Sequence, residues 1–401
     1  MDDGIPGLSV TINPDTHYPM KVLHVITGLD VGGAETMLHR LATNMDPVRF
    51  LPRVVSLIEP GPMGAKLTRA GVPVDCLGMR RGVPSPTALF RLVRIMRDWK
   101  PDLVQTWLYH ADLIGLLAAK LAFPFGGGPQ VAWNIRCSYM ALEEYRRLTG
   151  VTLKACAALS RFPDAVLTNS AEARRFHLQL GYAPKSFEVI PNGFDTERFK
   201  PDPAARREVR AEFNISQDAP VVGQVGRFDV MKDHRTAIHA MASVASQMPD
   251  AVFLMVGRGV DDANAEISGW MAEAGLAPDR VRLAGERSDI SRLMAAMDVH
   301  VSSSIGESFP NAVGEAMACG VPCVVTDVGD SGVLVGDTGL VVLPGDRNAL
   351  AEAVCRLLKS CREKGQECGN SARNRVIECY SLSETLKKFA EMYEKLSAKA
   401  L

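Results

Sequence analysis

The sequence predicts two doubly wound α/β domains in tandem, each built on a parallel sheet with helices on both faces. Short β-branched runs alternate with helical patterns, which favours parallel sheets covered by helices. This alternation runs through the chain twice. The length of 401 residues also exceeds the size at which one core keeps growing, so two domains of about 200 residues each are expected.

The first series contains seven predicted strands, at residues 21–26, 53–57, 74–77, 103–106, 130–133, 165–168 and 187–190. The second contains six, at residues 220–225, 252–256, 281–283, 299–302, 323–326 and 340–342. Helices are predicted in the intervals. A polar, proline-containing stretch at 198–203 separates the two series and predicts the interdomain connection.

These two series set the predicted domain boundaries. Residues 1–19 are acidic and lack an apolar h-region, so we interpret them as a flexible leader and not as a secretory signal. Residues 20–190 form the predicted first domain and residues 191–380 the second. Residues 381–401 hold a final amphipathic helix. Its apolar side chains share one stripe: Leu382, Leu386, Phe389, Met392 and Leu396.

Composition is typical of a soluble globular enzyme, with 47% hydrophobic and 23% charged residues. The best candidate for a membrane span, residues 113–123, contains Lys120 and ends before Pro124, so it predicts a buried helix. The nine cysteines are an odd, scattered set, which indicates free thiols in a reducing cytoplasm. For Cys319 and Cys323 we favour buried packing over metal binding, because no partner follows at zinc-ligand spacing.

Charge is unevenly divided, although the net charge is only −1. Residues 20–190 carry 21 Lys and Arg against 13 Asp and Glu, a balance of +8, whereas residues 191–401 carry 24 against 30, a balance of −6. A basic first half suggests an anionic surface or acceptor. In the predicted helix 86–100, Arg91, Arg94 and Arg97 recur every third residue. Two interpretations stay open for this helix: packing on its own sheet, or attachment to an anionic membrane.

The segment from Glu307 to Glu315 is the most informative in the chain. It reads Glu-Ser-Phe-Pro-Asn-Ala-Val-Gly-Glu, with a helix predicted to start near Pro310 and to stop at Gly320. The free amides at residues 311–313 would form an anion site, and the flanking carboxylates could accept hydrogen bonds from sugar hydroxyls. A nucleotide sugar offers both groups. Taken alone, the pair is equally compatible with a solvated loop acid and a first-turn helix carboxylate.

Chemically useful residues follow the predicted strands of the first domain, where open α/β sheets bind their ligands. Gly32 and Gly33 follow the first strand and open a helix, so backbone amides could approach an anion there. The alternative is a turn that needs positive φ. His110 follows the fourth strand, in a predicted loop; a lone histidine at such a position is more often structural.

The second domain repeats this arrangement. Arg227 follows its first strand and Lys232 comes five residues later, so a forked and a mobile cation could together offset a diphosphate. The alternative is an ordinary surface pair at a loop mouth. Gly257 and Arg287 follow the next two strands and would border a nucleobase pocket.

The Glu-x7-Glu segment, the Gly-Gly-Ala-Glu turn and the Gly-Arg…Lys element together resemble the retaining glycosyltransferases of family 4. The resemblance covers residues 20–396 and implies the GT-B fold, with the last helix crossing back to the first domain. It implies catalytic roles for His110, Arg227, Lys232 and Glu307. It implies donor contacts by Gly32, Gly33, Arg227, Lys232, Gly257, Arg287, Phe309, Asn311, Ala312, Val313 and Glu315, with Glu307 on the sugar hydroxyls and Glu315 on the ribose.

The expected activity is therefore transfer of a sugar from a nucleotide diphosphate, uridine-linked, to a hydroxyl acceptor with retention of configuration. No Asp-x-Asp occurs in the chain, so positive side chains and amides are expected in place of a metal, and no cofactor is expected. The basic first domain favours a phosphate-bearing acceptor such as a lipid-linked saccharide of envelope polysaccharide synthesis. No nucleic acid partner is expected. A sugar-nucleotide epimerase and a non-catalytic nucleotide-sugar-binding scaffold stay open as alternatives.

Overall fold

The computed structural model describes residues 19–80, 83, 85–137 and 147–398. The strands of the first sheet are β1 Met20–Ile26, β2 Phe50–Ser56, β3 Val74–Cys76, β4 Leu103–Trp107, β5 Gln130–Ile135, β6 Ala165–Thr168 and β7 Phe187–Val189. Those of the second are β8 Val221–Val225, β9 Val252–Val256, β10 Val281–Leu283, β11 Val299–Ser302, β12 Cys323–Thr326 and β13 Leu340–Val342.

Helices follow the strands on both faces of each sheet. Those within the first sheet's span are α1 Gly33–Asn44, α2 Gly61–Arg69, α3 Pro86–Trp99, α4 Tyr109–Ala122, α5 Arg147–Leu159 and α6 Ala171–Gln179. The others are α7 Pro203–Glu212, α8 His234–Gln247, α9 Ala265–Ala274, α10 Ile290–Ala295, α11 Asn311–Ala318, α12 Ser331–Val335, α13 Arg347–Lys364, α14 Gln366–Tyr380 and α15 Leu382–Ala398.

Both sheets are parallel and share one topology. The first has the order β3-β2-β1-β4-β5-β6-β7 and the second β10-β9-β8-β11-β12-β13. In each sheet the order reverses beside the first strand, between β1 and β4 and between β8 and β11. Ligands of doubly wound sheets bind at such reversal points, at the carboxyl ends of the strands. The predicted fold class, two doubly wound α/β domains, is confirmed.

Most predicted strands agree with the structure to within a residue or two. The clearest difference is β2, which starts at Phe50, before Pro52, although the sequence prediction starts after the proline. Pro52 pairs with Val22 of β1, and β3 joins β2 only from Val54 onward. On the β3 side, therefore, no strand requires the N–H that proline lacks.

The last helix packs into the core of the first domain. Phe389, Met392 and Tyr393 of α15 are buried with residues of α1 and β1, and the Tyr393 hydroxyl donates to Gln105 of β4. The chain enters this helix beside Phe194, whose N–H donates to Tyr380 O and whose carbonyl accepts from Leu382 N. The segment after the second domain thereby returns to the first.

Candidate active site

A cleft of about 990 Å³ lies between the two sheets, where the strands of both domains end. The first domain lines it with the turn before α1 and the ends of β4 and β5, and the second lines it with the segment after β8 and the start of α11. Nine predicted site residues line this cleft: Gly32, Gly33, Arg227, Lys232, Glu307, Phe309, Asn311, Ala312 and Glu315.

On the second-domain wall, two cations are each held by a carboxylate. Lys232 lies in a short 3₁₀ turn, residues 230–232, and its Nζ donates to Glu307 Oε1. Glu307 also accepts from Ser304 Oγ at 2.9 Å. Arg227 Nε lies 2.9 Å from Asp229 Oδ2. Both positive side chains are thereby kept at the cleft, and a diphosphate could exchange for their carboxylate partners.

The start of α11 faces the same space. Asn311 is its first residue and Pro310 precedes it in an extended conformation. The first amides of a helix have no partner within the helix and carry the positive end of its dipole. Val313 borders a small recess beside the cleft, together with Lys232 and Glu307. The anion site predicted from the sequence is thus adjacent to the two cations.

Glu315 forms an ion pair that joins the two domains. Its Oε1 lies 2.6 Å from Arg40 Nη2 of α1, and Arg40 Nη1 donates to Gly193 O at 2.8 Å. Burial raises the pKa of Glu315, and the charge and hydrogen bond of Arg40 oppose that rise. Arg40 was not among the residues predicted from the sequence. The sequence signal for Arg40 was a charged residue on the apolar side of α1. That signal alone does not identify the carboxylate with which Arg40 pairs.

The Gly32–Gly33 turn brings the first domain close to α11. A Cβ atom on Gly33 would lie 3.3 Å from Asn311 Nδ2, so the missing side chain permits this approach. Gly32 caps α1 with φ −160°, which any residue can adopt. Close approach, and not positive φ, therefore accounts for these glycines.

Arg136 is a cleft residue that the sequence interpretation missed. It follows β5, and its Nη2 donates to Asn192 Oδ1 at 2.6 Å, while Asn192 Nδ2 donates to Asn311 Oδ1 at 2.8 Å. Its Cζ lies 5.4 Å from the centre of the Trp107 ring. Its place directly after a strand was a usable signal. Its link to α11 depends on a contact between domains that the sequence does not show.

Comparison with known proteins decides the family. The family model "Glycosyltransferase Family 4" matches residues 31–198, and "Glycosyl transferases group 1" matches residues 219–360. The 2-deoxystreptamine glucosyltransferase of Streptomyces kanamyceticus is 31% identical over 282 residues, which cover 68% of this chain and 72% of that protein. The chain belongs to the family 4 glycosyltransferases.

Other similar proteins match nearly the whole length of the glycosyltransferase. The UDP-Gal:α-D-GlcNAc-diphosphoundecaprenol α-1,3-galactosyltransferase of Escherichia coli is 26% identical over 94% of this chain and 97% of its own. Among solved structures, Anabaena HepE in complex with UDP has a TM-score of 0.79 at 23% identity, covering 94% of this chain and all of that one. The glycosyltransferase therefore has the GT-B fold.

Besides Val313, three predicted site residues of the glycosyltransferase do not line the cleft. His110 lies in the first turn of α4 rather than in the predicted loop, is half-buried, and has its pKa lowered by that burial. Arg287 is engaged by Glu212 at 2.6 Å and by Asp289 at 2.8 Å. Gly257 packs under the neighbouring turn, because a Cβ there would lie 2.0 Å from Gly226 O. Leu108, at φ +73° just before α4, lines the cleft instead of His110.

A second contact holds the domains together beside the cleft. Asp330 accepts hydrogen bonds from Ala171 N at 2.8 Å and Glu172 N at 3.1 Å, so a second-domain carboxylate caps α6 of the first. Ser170 Oγ and Ser308 Oγ lie 2.9 Å apart. A cavity of about 640 Å³ opens next to this contact, and Glu307 borders both this cavity and the main cleft.

Two features that the described residues lack bear on metals and membranes. Within that part of the chain, no three His, Cys, Asp or Glu side chains are grouped as metal ligands would be. Over the same residues, no helix has the combination of length and apolarity that a membrane span requires. Cys319 and Cys323 are buried free thiols, in agreement with the packing interpretation.

Proposed function

We propose that this glycosyltransferase moves a sugar from a uridine diphosphate sugar to a hydroxyl acceptor, with retention of anomeric configuration and without a metal. The observation that carries the proposal is the convergence of Arg227, Lys232 and the start of α11 on one interdomain cleft. The names of its relatives support the donor class. The Escherichia coli relative is named for UDP-Gal, and Anabaena HepE has also been solved with UDP-glucose.

The charges of the site suit departure of a diphosphate. Breaking the anomeric bond develops positive charge on the sugar and negative charge on the leaving group. Arg227 and Lys232 would stabilise the departing diphosphate, together with the α11 amides. Fixed donors of this kind contribute about 3–4 kcal/mol each to lowering a barrier.

The pairing of three carboxylates of the cleft favours a front-face displacement for the retaining reaction. Glu307 and Asp229 are each hydrogen-bonded to a cation, and Glu315 to Arg40. Such pairing suits groups that orient hydroxyls better than a free nucleophile attacking the anomeric carbon. In this route the departing phosphate accepts the proton of the acceptor hydroxyl as the new bond forms on the same face.

The acceptor is proposed to be a lipid-linked saccharide of envelope polysaccharide synthesis, met at the cytoplasmic face of a membrane. Support comes from the basic balance of residues 20–190 and from the diphosphoundecaprenol-linked acceptor in the name of the Escherichia coli relative. The first domain also exposes large apolar side chains on α3, on α4 and just after α4: Phe90, Leu117, Leu121 and Phe125.

Incubation with labelled nucleotide sugars tests this function directly. The purified protein is given UDP-, GDP- and ADP-linked sugars with and without chelator, and the products are separated. Slow hydrolysis or transfer from a UDP-sugar, undiminished by chelator, is the expected result. An isomerised sugar nucleotide would instead identify an epimerase, and binding without turnover a scaffold. Loss of activity with chelator and rescue by manganese would contradict metal independence.

A further inference from the structure

Arg136 lines the cleft and has no carboxylate partner among the residues that the structure describes. Two other cations of the cleft are each paired with one, Lys232 with Glu307 and Arg227 with Asp229, whereas the remaining cation of the lining, Arg258, is exposed. Within the described ranges, no Asp or Glu lies at ion-pair distance from Arg136, and its hydrogen bonds go to amide oxygens alone. Among the described residues, therefore, no carboxylate neutralises its positive charge.

The neutral groups around Arg136 fix its position. Asn192 Oδ1 accepts from Nη2 at 2.6 Å, Asn134 Oδ1 accepts from Nη1 at 3.4 Å, and the Trp107 ring lies against the guanidinium. The Nε atom is buried without an acceptor. A guanidinium held in this way is pre-organised, and one of its donors is still unsatisfied.

Arg136 is only partly exposed to water at the cleft. Burial lowers the pKa of Arg136 to about 9, so it is still protonated at neutral pH. Buried charges are normally paired, since desolvation without a counter-charge destabilises the fold. An anion that enters the cleft beside Arg136 would supply the missing counter-charge and an acceptor for Nε.

We propose that Arg136, positioned by Asn192, forms a second anion subsite of the cleft that takes a phosphate group. It lies on the first-domain wall, whereas Arg227 and Lys232 lie on the other wall. Asn192 also donates to Asn311 at the start of α11, so the subsite adjoins the proposed diphosphate position. The inference rests on the proposed function. The phosphate could belong to the donor's diphosphate or to a phosphorylated acceptor.

Calorimetric titrations with inorganic phosphate, UDP and uridine test the subsite without requiring turnover. The variants are Arg136→Gln, the charge-preserving Arg136→Lys, and Arg362→Gln, an exposed residue of α13, as a matched control. Arg136→Gln is expected to weaken phosphate or UDP binding by about tenfold, with uridine unchanged. Arg136→Lys should retain part of the affinity. The control should match the parent.

Two arms distinguish the source of the phosphate. Inorganic phosphate that binds the UDP-saturated parent, and is lost in Arg136→Gln, would assign the subsite to a phosphorylated acceptor. Phosphate that fails to bind beside UDP, with UDP itself weakened in the variant, would assign it to the donor. Lys232→Ala serves as the donor reference, because an effect of that variant alone would support the proposed function and reject the subsite.

A second variant covers the case in which Arg136→Gln does not fold. Asn192→Asp keeps the arginine and places a carboxylate beside it, so the cation is neutralised internally and anion binding should fall similarly. Unchanged phosphate and UDP affinities in the folded Arg136→Gln and Asn192→Asp proteins would overturn the proposal. A parent that binds no phosphate, with UDP affinity unchanged in both variants, would overturn it as well.

Discussion

In the proposed function, negative charge develops on the leaving diphosphate beside Lys232 and Arg227. Both are already oriented by carboxylates, Glu307 and Asp229. Their contribution should therefore be larger in the transition state than in the bound ground state. We expect Lys232→Ala and Arg227→Ala each to lower kcat by about 100-fold or more while uridine binding changes little.

Steady-state kinetics and uridine titration on the same preparations measure both quantities. Arg362 is an exposed residue of α13, and Arg362→Ala is the control for loss of a positive charge outside the cleft. Near-parental kcat in both cleft variants would remove Arg227 and Lys232 from the leaving-group role.

His300 makes the stability of the fold depend on pH. It is buried in β11, neither ring nitrogen has a hydrogen-bond partner, and burial, aided by the charge of Lys232, lowers its pKa from 6.5 to about 3. Below pH 6.5 His300 is protonated in the unfolded chain but stays neutral in the folded protein. The free energy of unfolding therefore falls as pH falls from 6.5 toward 3.

His300→Leu removes this dependence. Relative to the parent, the variant should gain about 2 kcal/mol of unfolding free energy between pH 7.5 and pH 5, at about 1.4 kcal/mol per pH unit below 6.5. Urea unfolding of both proteins at the two pH values measures this difference, with His239→Leu on α8 as the control. An identical difference between variant and parent at both pH values would contradict the assignment.

Sequence reasoning located cleft residues that follow their own strand in the chain. Lys232, Glu307 and Asn311 could be predicted because strand ends of one sheet meet at one edge. Arg136 and Asn192 were missed because their significance comes from contacts across the domain boundary. The same limit applies to the position of His110. The sequence predicts that it follows β4, but not that it lies in the first turn of α4 and outside the cleft lining.

At the scale of elements, α11 is packed against the junction of the domains at Gly314. A Cβ there would lie 2.1 Å from Phe194 Cζ, and Phe194 is fully buried with both backbone groups bonded to the segment entering α15. Gly314→Ala should therefore lower the melting temperature, because overpacking of this kind costs about 1–3 kcal/mol.

Gly269 in α9 provides the matched control. Nothing lies within 4 Å of a Cβ built there, so Gly269→Ala should raise the melting temperature by removing chain entropy worth about 0.5–1 kcal/mol from the unfolded state. Thermal unfolding of the two variants compares the opposite signs. If both variants shifted the melting temperature equally in one direction, the contact with Phe194 would not be what excludes a side chain at position 314.

Element boundaries were predictable wherever strands are continuous apolar runs. β9, β11 and β12 are short β-branched or apolar segments buried in a parallel sheet, and their predicted bounds agree with the structure. The start of β2 was harder to predict, because a proline normally ends a strand. The sheet accepts Pro52 because β3 pairs with β2 only from Val54 onward. Such neighbour effects belong to the sheet and cannot be obtained from the strand alone.

At the scale of the molecule, the basic first domain bears on membrane attachment. Two of the three arginines of α3 have a structural role, since Arg91 donates to the carbonyls of Leu77 and Cys76 and Arg97 to those of Leu121 and Ala122. Arg94 is highly exposed and only loosely paired with Asp98, at 3.5 Å. The exposed Phe125 and Arg94 are therefore better probes of this surface than Arg91 and Arg97.

We expect binding to anionic vesicles that weakens at high salt, because each basic residue near such a surface contributes about 1 kcal/mol and the attraction decays within about 10 Å. Phe125→Ser and Arg94→Gln should each reduce co-sedimentation, with donor hydrolysis unchanged. Lys359→Gln on α13 of the second domain is the charge control. If the parent and all variants bound equally to anionic and neutral vesicles, this surface would be excluded as a site of membrane attachment.

The central claim is that a nucleoside diphosphate lies between Lys232 and the start of α11. A crystal structure of the protein with bound UDP tests it most directly. The predicted result is a terminal phosphate within hydrogen-bond distance of Lys232 Nζ and the amides of Ala312 and Val313, with the Lys232–Glu307 contact exchanged for it. A diphosphate bound elsewhere, such as the cavity beside Asp330, with the Lys232–Glu307 contact intact, would contradict the claim.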